Sequence, residues 1–282
     1  MSLNRITWET IVNFTNVNKY PILPCPYCKE TNLEIDKSSI TYRKVTCEDT
    51  SSLIQEDIRS QVATVATIAE KNILLGAILG FGAIATYKGK EPAKFLSFFS
   101  CNNCGEHVTA TGTAQLVEKN NQENTNSSLI KVEYFSPPIP VFAISPNVPI
   151  AIQREVLQSF NHFHSDLSSS GAKLRRSIER MCSELGFKEK NLHSSISSME
   201  KEFPREAKLF NSLKLIGNEA THGYTVNEED LLDAFEVQDF VLGLFERIKE
   251  EREIEEKSRK LEEKFKTKHP QQIKKLVNKK VE

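Results

Sequence analysis

From residue 150 onward, apolar positions recur at steps of three or four, the period of a helix with one buried face. Val156, Leu157, Phe160, Phe163 and Leu167 form one stripe; Leu174, Ile178, Met181, Cys182 and Leu185 form a second. Gly186 stands where the second helix would end on a residue free to adopt positive φ. A third helix is predicted over 192–201, and Pro204 opens a fourth that runs through Leu209, Leu213 and Ile216. Asn227, with Asp230 three residues on, reads as the N-cap of a final helix with apolar positions from Leu231 to Ile248. Four or five amphipathic helices with short connections predict an antiparallel bundle over 149–250. Residues 251–282 then lose apolar positions and alternate charge, which predicts a solvated helical extension and a Lys-rich tail. The tail reads as frayed chain, with an acidic partner as the alternative.

The first half has a different rhythm. Short runs around Pro21, Pro24 and Pro26, then LEI and SSITYRKV, read as strands, as does the text around CNNC from residue 95 to 117. Residues 52–72 carry helical spacing, and 120–128 form a polar loop. Prolines 137, 138, 140, 146 and 149 exclude a regular helix, so 119–148 is predicted to be an extended linker. The expected fold is therefore α+β: a zinc-ribbon-like β module over 1–118, holding an insertion at 45–95, and then the all-α bundle. Within the insertion, 73–87 is apolar but only 15 residues long, shorter than the roughly 20 needed to span a bilayer. Buried core is the simplest reading; membrane contact and a partner interface are the alternatives.

Charge removes one class of function. Lysine and arginine number 37 against 38 acidic residues, a net charge of −1, so nucleic acid could be held only by a local basic patch. The first residues, MSLNRITWET, contain no apolar signal core. Six cysteines without a secretory context suit a reducing compartment, so a cytoplasmic location with metal ligation is expected over disulfides. Cys25-Pro-Tyr-Cys28 and Cys101-Asn-Asn-Cys104 are two C-x-x-C knuckles, a spacing that aims two thiolates of one tight turn at a single ion. Gly105 follows the second knuckle where such turns need positive φ. The cofactor expected at these four positions is structural Zn2+, despite 72 residues between the knuckles. Cys182 lies on an apolar stripe and is expected in the core.

Two polar groups stand out in the helical half. Arg175 and Glu179 are four apart on one helix, where the plain reading is an exposed pair worth roughly 0.3–0.5 kcal/mol. In LKLIGNEATHG, Asn218 and His222 share a face if the helix continues, and Gly217 lets another helix approach closely. A buried Asn–His network is the plain reading there, and a catalytic or nucleotide-contacting histidine is the sharp one.

With TWETI, CPYC, SFFSCNNCGEHV, SPNVP, LRRSIERMC and EEDLLDAFE, these segments make the chain resemble the bacterial domain-of-unknown-function family "four-one-four-five" over most of residues 5–248. The resemblance implies a HEPN-like bundle, a class with many ribonucleases and RNA-binding partners in antiphage defence, some beside restriction enzymes. It implies RNA, DNA or a defence-system protein as partner, and a homodimer formed through the bundle. The catalytic pattern of that class is an arginine, a polar residue and a histidine. Asn218 and His222 match its last two members, but Gly217 stands where the arginine would be. A cation for the developing phosphorane charge would have to come from Lys214, Arg175 or Arg176. The sequence thus favours a binding module with structural zinc, with a metal-independent endoribonuclease using His222 as the alternative.

Overall fold

The computed structural model describes residues 3–48, 51–52, 90–119, 122–123, 128–222 and 226–268. Outside them lie the helix expected over 52–72, the apolar segment 73–87, most of the 120–128 loop and most of the Lys-rich tail.

An antiparallel sheet makes up the first half. Its strands are β1 (Thr15–Asn16), β2 (Leu23–Pro24), β3 (Thr31–Ile35), β4 (Thr41–Lys44), β5 (Lys90–Cys101), β6 (His107–Lys119), β7 (Gln122–Glu123) and β8 (Leu129–Ser136). The order across the sheet is β1-β8-β6-β5-β3-β2, with β4 also on β5 and β7 on β6. The long β5–β6 hairpin is its spine, in register from Lys90 opposite Val117 to Ser100 opposite His107. Alternation explains which face is buried. Ala93, Phe95, Ser97, Phe99 and Cys101 point inward, while Leu96 and Phe98 face outward. β8 carries one extra residue against β6 beside Gly112, where any Cβ would collide with the carbonyl of Lys131 and lie 2.8 Å from the Glu133 nitrogen.

The bounds expected for the insertion shift, and a helix appears where the sequence suggested no element. Residues 90–95 belong to β5, and the Val45 amide bonds the Pro92 carbonyl at 3.0 Å, so both edges of the predicted insertion are part of the sheet. Residues 5–11 are helical: α1 (Arg5–Ile11) is capped by Asn4 and buries Trp8 and Ile11.

The helical half contains α2 (Ile150–His162), α3 (Leu167–Glu184), α4 (Leu192–Met199), α5 (Pro204–His222), α6 (Glu228–Leu242) and α7 (Leu244–Lys268). Local chemistry sets their ends. Asp166, Asn191 and Asn227 each accept a backbone N–H as N-cap, and Asn227 with Asp230 completes a capping box. Gly186, at φ 92°, closes α3: its N–H bonds Ser183, and Phe187 bonds back to Cys182 at 2.8 Å. The first apolar stripe spans two helices, since Asp166 stops the turn after α2 and Leu167 opens α3. The predicted final helix is likewise two, parted at Gly243.

Helix pairing is antiparallel where contacts define it. Ser159 and Ser170 exchange hydroxyl-to-carbonyl bonds of 2.8 and 2.9 Å between α2 and α3. Nearer the other end of that pair, buried Glu155 meets Arg176 at 3.1 Å and Lys173 at 3.7 Å. Between α3 and α5, Gly171 faces Ala220 and Gly217 faces Arg175; a Cβ at Gly171 would sit 2.6 Å from that of Ala220. The close approach expected at Gly217 is therefore present.

The proline-rich stretch is no free linker. Within 119–148, β8 joins the sheet, and Ile139, Val141, Phe142 and Val148 are all buried. Prolines do keep this stretch out of a helix, but its apolar side chains fill the seam between sheet and helices. Phe142 meets Phe160 edge-on at 4.9 Å, and the Trp8 indole N–H donates to the Val141 carbonyl at 3.1 Å. One continuous hydrophobic core consequently joins the two halves. Among the described residues, no helix is long and apolar enough to cross a membrane.

Candidate functional site

Two turns at one end of the sheet bring the four cysteines together. β2 and β3 flank the first knuckle; β5 and β6 flank the second. β3 pairs with β5 so that Leu33 lies opposite Cys101, and the Asn102 amide bonds the Asn32 carbonyl at 2.9 Å. Strand pairing therefore makes the long sequence gap between the knuckles irrelevant.

The two turns share one hydrogen-bond plan. The Cys25 amide donates to Glu30 at 2.8 Å and its carbonyl accepts from Lys29 at 3.0 Å. The Cys101 amide donates to Glu106 at 2.9 Å and its carbonyl accepts from Gly105 at 2.9 Å. The residue after each second cysteine has positive φ: 68° at Lys29 and 75° at Gly105. Gly105 was expected from sequence. Lys29 was not, although its position relative to CPYC is that of Gly105 relative to CNNC.

All four sulfurs lie within 4.8 Å of one another. Sγ of Cys25 is 3.7 Å from that of Cys104, and Cys28 is 3.7 Å from Cys101. Four sulfurs held about 2.3 Å from one ion at tetrahedral angles would stand about 3.8 Å apart, so the spacing fits a single metal ion. Cys25 and Cys101 are buried, Cys28 is half-buried and Cys104 is exposed, which puts the cluster at the tip of the core. The thiols are electrostatically unequal. A hydrogen bond from the Asn103 side chain, helped by the Glu30 amide, pulls Cys28 down to about 6, whereas burial pushes Cys25 up. At Cys104 the Glu106 amide favours the thiolate, but desolvation and the other three sulfurs outweigh it and raise the thiol to about 12. Crowded sulfurs resist ionising together, and a divalent cation among them removes that conflict. Cys182 is buried on α3 as expected, its thiol pushed up to about 12 by burial.

The second set of expected residues lies on α3 and α5. Lys214, Asn218 and His222 follow one another at steps of four along α5, which ends at His222. Asn218 is half-buried. Arg175 packs its stem over Gly217, beside Asn218, and turns its Nε toward Glu179 at 3.6 Å. The Lys214 ammonium donates to Asn211 at 2.9 Å and stands 3.5 Å from Nδ1 of His193. Arg176 is drawn away to Glu155. His193 was not singled out from sequence, because only the fold sets α4 beside Lys214.

Taken together, these features define a mixed α+β protein with a four-thiol cluster at the tip of its sheet and an antiparallel helical region behind it. Residues 155–267 match the family model described as Domain of unknown function (DUF4145), the family that the resemblance named. The four cysteines lie outside the matched residues. No curated protein and no solved structure matches the chain.

Proposed function

We propose that this chain is a zinc-stabilised binding module, in which a zinc-ribbon-like sheet supports a HEPN-like bundle that engages single-stranded nucleic acid without chemistry. The observation that carries the metal half is the 3.7 Å spacing of paired sulfurs in two equivalent turns. Four thiolates fill the coordination shell of zinc, so the ion would hold the sheet rather than activate water. Support for a polyanion ligand comes from the cations around Asn218: Lys214 beside His193 on one side, Arg175 on the other. Antiphage defence is the setting that the family resemblance suggests.

A second reading rests on the same helix face. With His222 as general acid/base, Asn218 orienting and Lys214 or Arg175 stabilising charge, this would be a metal-independent endoribonuclease.

One experiment separates the two. Wild-type protein and His222→Ala are incubated with single-stranded and structured RNA in EDTA, and both binding and cleavage are followed. Salt-sensitive binding without cleavage supports the module. Cleavage that vanishes in His222→Ala supports the nuclease. Absence of both from the wild type would overturn both readings.

A further inference from the structure

A depression of about 400 Å³ opens between the C-terminal end of α3 and the first turn of α4. Its charged lining is lopsided. Arg176, Arg180, Lys188 and Lys190 surround it, against Glu179 and Glu189. Two of these six are engaged elsewhere: Arg176 by buried Glu155 at 3.1 Å and Glu179 by Arg175 at 3.6 Å. That leaves Arg180, Lys188 and Lys190 facing Glu189 alone, and none of the three cations forms an ion pair among the described residues. A local excess of two positive charges is notable in a chain whose net charge is −1.

The fold holds these cations in place. Arg176 and Arg180 are one turn apart on α3, and the Glu155 contact pins the first of them. The left-handed turn at Gly186 reverses the chain and sets Lys188 and Lys190 across from them. In the loop, the Glu189 amide is tied to the Ser195 hydroxyl at 3.1 Å. The first turn of α4 forms another wall. Asn191 satisfies the Ser194 amide there, while the helix end adds its partial positive charge. Phe187 supplies an apolar face, braced edge-on by Phe203 at 6.1 Å. Cations and one aromatic ring together suit a phosphorylated nucleotide unit better than a simple apolar ligand.

The depression also adjoins the α5 face. Glu179 lines it and pairs with Arg175, which packs on Gly217; Leu192 lines it, and the next residue, His193, stands at Lys214. We propose that the depression is a phosphate subsite for a single-stranded nucleic acid whose chain continues past Lys214 and Asn218. This rests on the binding-module reading above.

The test is fluorescence anisotropy at stepped salt, with labelled mixed-sequence RNA and DNA single strands. The triple variant Arg180→Glu, Lys188→Glu, Lys190→Glu is compared with a control triple of equal charge change, Lys201→Glu, Lys208→Glu, Lys257→Glu. The pocket triple should bind about tenfold or more weakly, and its log–log salt slope should shrink by roughly 2, about 0.7 per lost phosphate contact. The control should stay near wild type, and Lys188→Arg with Lys190→Arg should retain binding. Equal weakening in both triples would overturn the subsite while leaving the binding module standing. Wild type that binds neither strand would overturn both.

Discussion

Lys29 and Gly105 hold the same left-handed backbone, at φ 68° and 75°, in two turns that converge on one sulfur cluster. Only glycine adopts that conformation without a steric cost, so the first knuckle carries strain that the second avoids. Lys29→Gly should raise stability by about 1 kcal/mol with metal bound, and Gly105→Val should lower it by a similar amount or more. Denaturant midpoints of the metal-loaded protein test both.

The contact between Gly217 and Arg175 makes a prediction against intrinsic propensity. Alanine is the better helix former by about 1 kcal/mol. Here, however, an added Cβ would collide with that of Arg175 across the α3–α5 seam. Gly217→Ala should therefore destabilise the protein, by roughly 1–3 kcal/mol. A higher melting temperature in that variant would show that the two helices can part freely.

His164 gives the fold a dependence on pH. It is buried among Trp8, Phe135 and Phe163, neither ring nitrogen has a hydrogen-bond partner among the described residues, and burial, with Lys131 nearby, pulls its pKa down to about 3. Between about pH 6.5 and 3 the unfolded chain binds a proton that the folded chain refuses. Stability from this site is complete above about 6.5 and falls as pH drops through that window, by on the order of 1.4 kcal/mol per pH unit. His164→Leu should lose less stability than wild type as pH falls from about 6.5 to 3, so the two curves should differ in slope. Parallel curves for the two proteins would contradict this.

The shared core predicts that sheet and helices melt as one unit. Trp8 is the single tryptophan, and it sits at the seam. Its fluorescence and the far-ultraviolet helical signal should therefore change together. Phe142→Ala, which opens a hole against Phe160, should cost roughly 3–5 kcal/mol and shift both signals equally. Two separate transitions would mean that the halves fold independently.

Much of the helical half was legible because its signals are local. Asn227 and Gly186 act on backbone groups a few residues away, and the stripe from Leu174 to Cys182 needs only a 3.6-residue period. The knuckles were legible as well, since the C-x-x-C spacing encodes the turn. What escaped depends on distance in sequence. That Ile139, Val141 and Phe142 are buried follows from elements on both sides of them, so prolines alone suggested a linker. The break at Gly243 was hidden because apolar positions continue across it. His193 beside Lys214, and the cations gathered near Gly186, exist only once α3, α4 and α5 are packed.

The zinc ion proposed at Cys25, Cys28, Cys101 and Cys104 would stabilise the sheet. Elemental analysis combined with X-ray absorption on freshly purified protein tests it most directly. One zinc per chain is expected, in a shell of four sulfurs at about 2.3 Å, lost together with folding stability in Cys101→Ser. A metal-free protein of unchanged stability, or a shell built of oxygen and nitrogen, would contradict it.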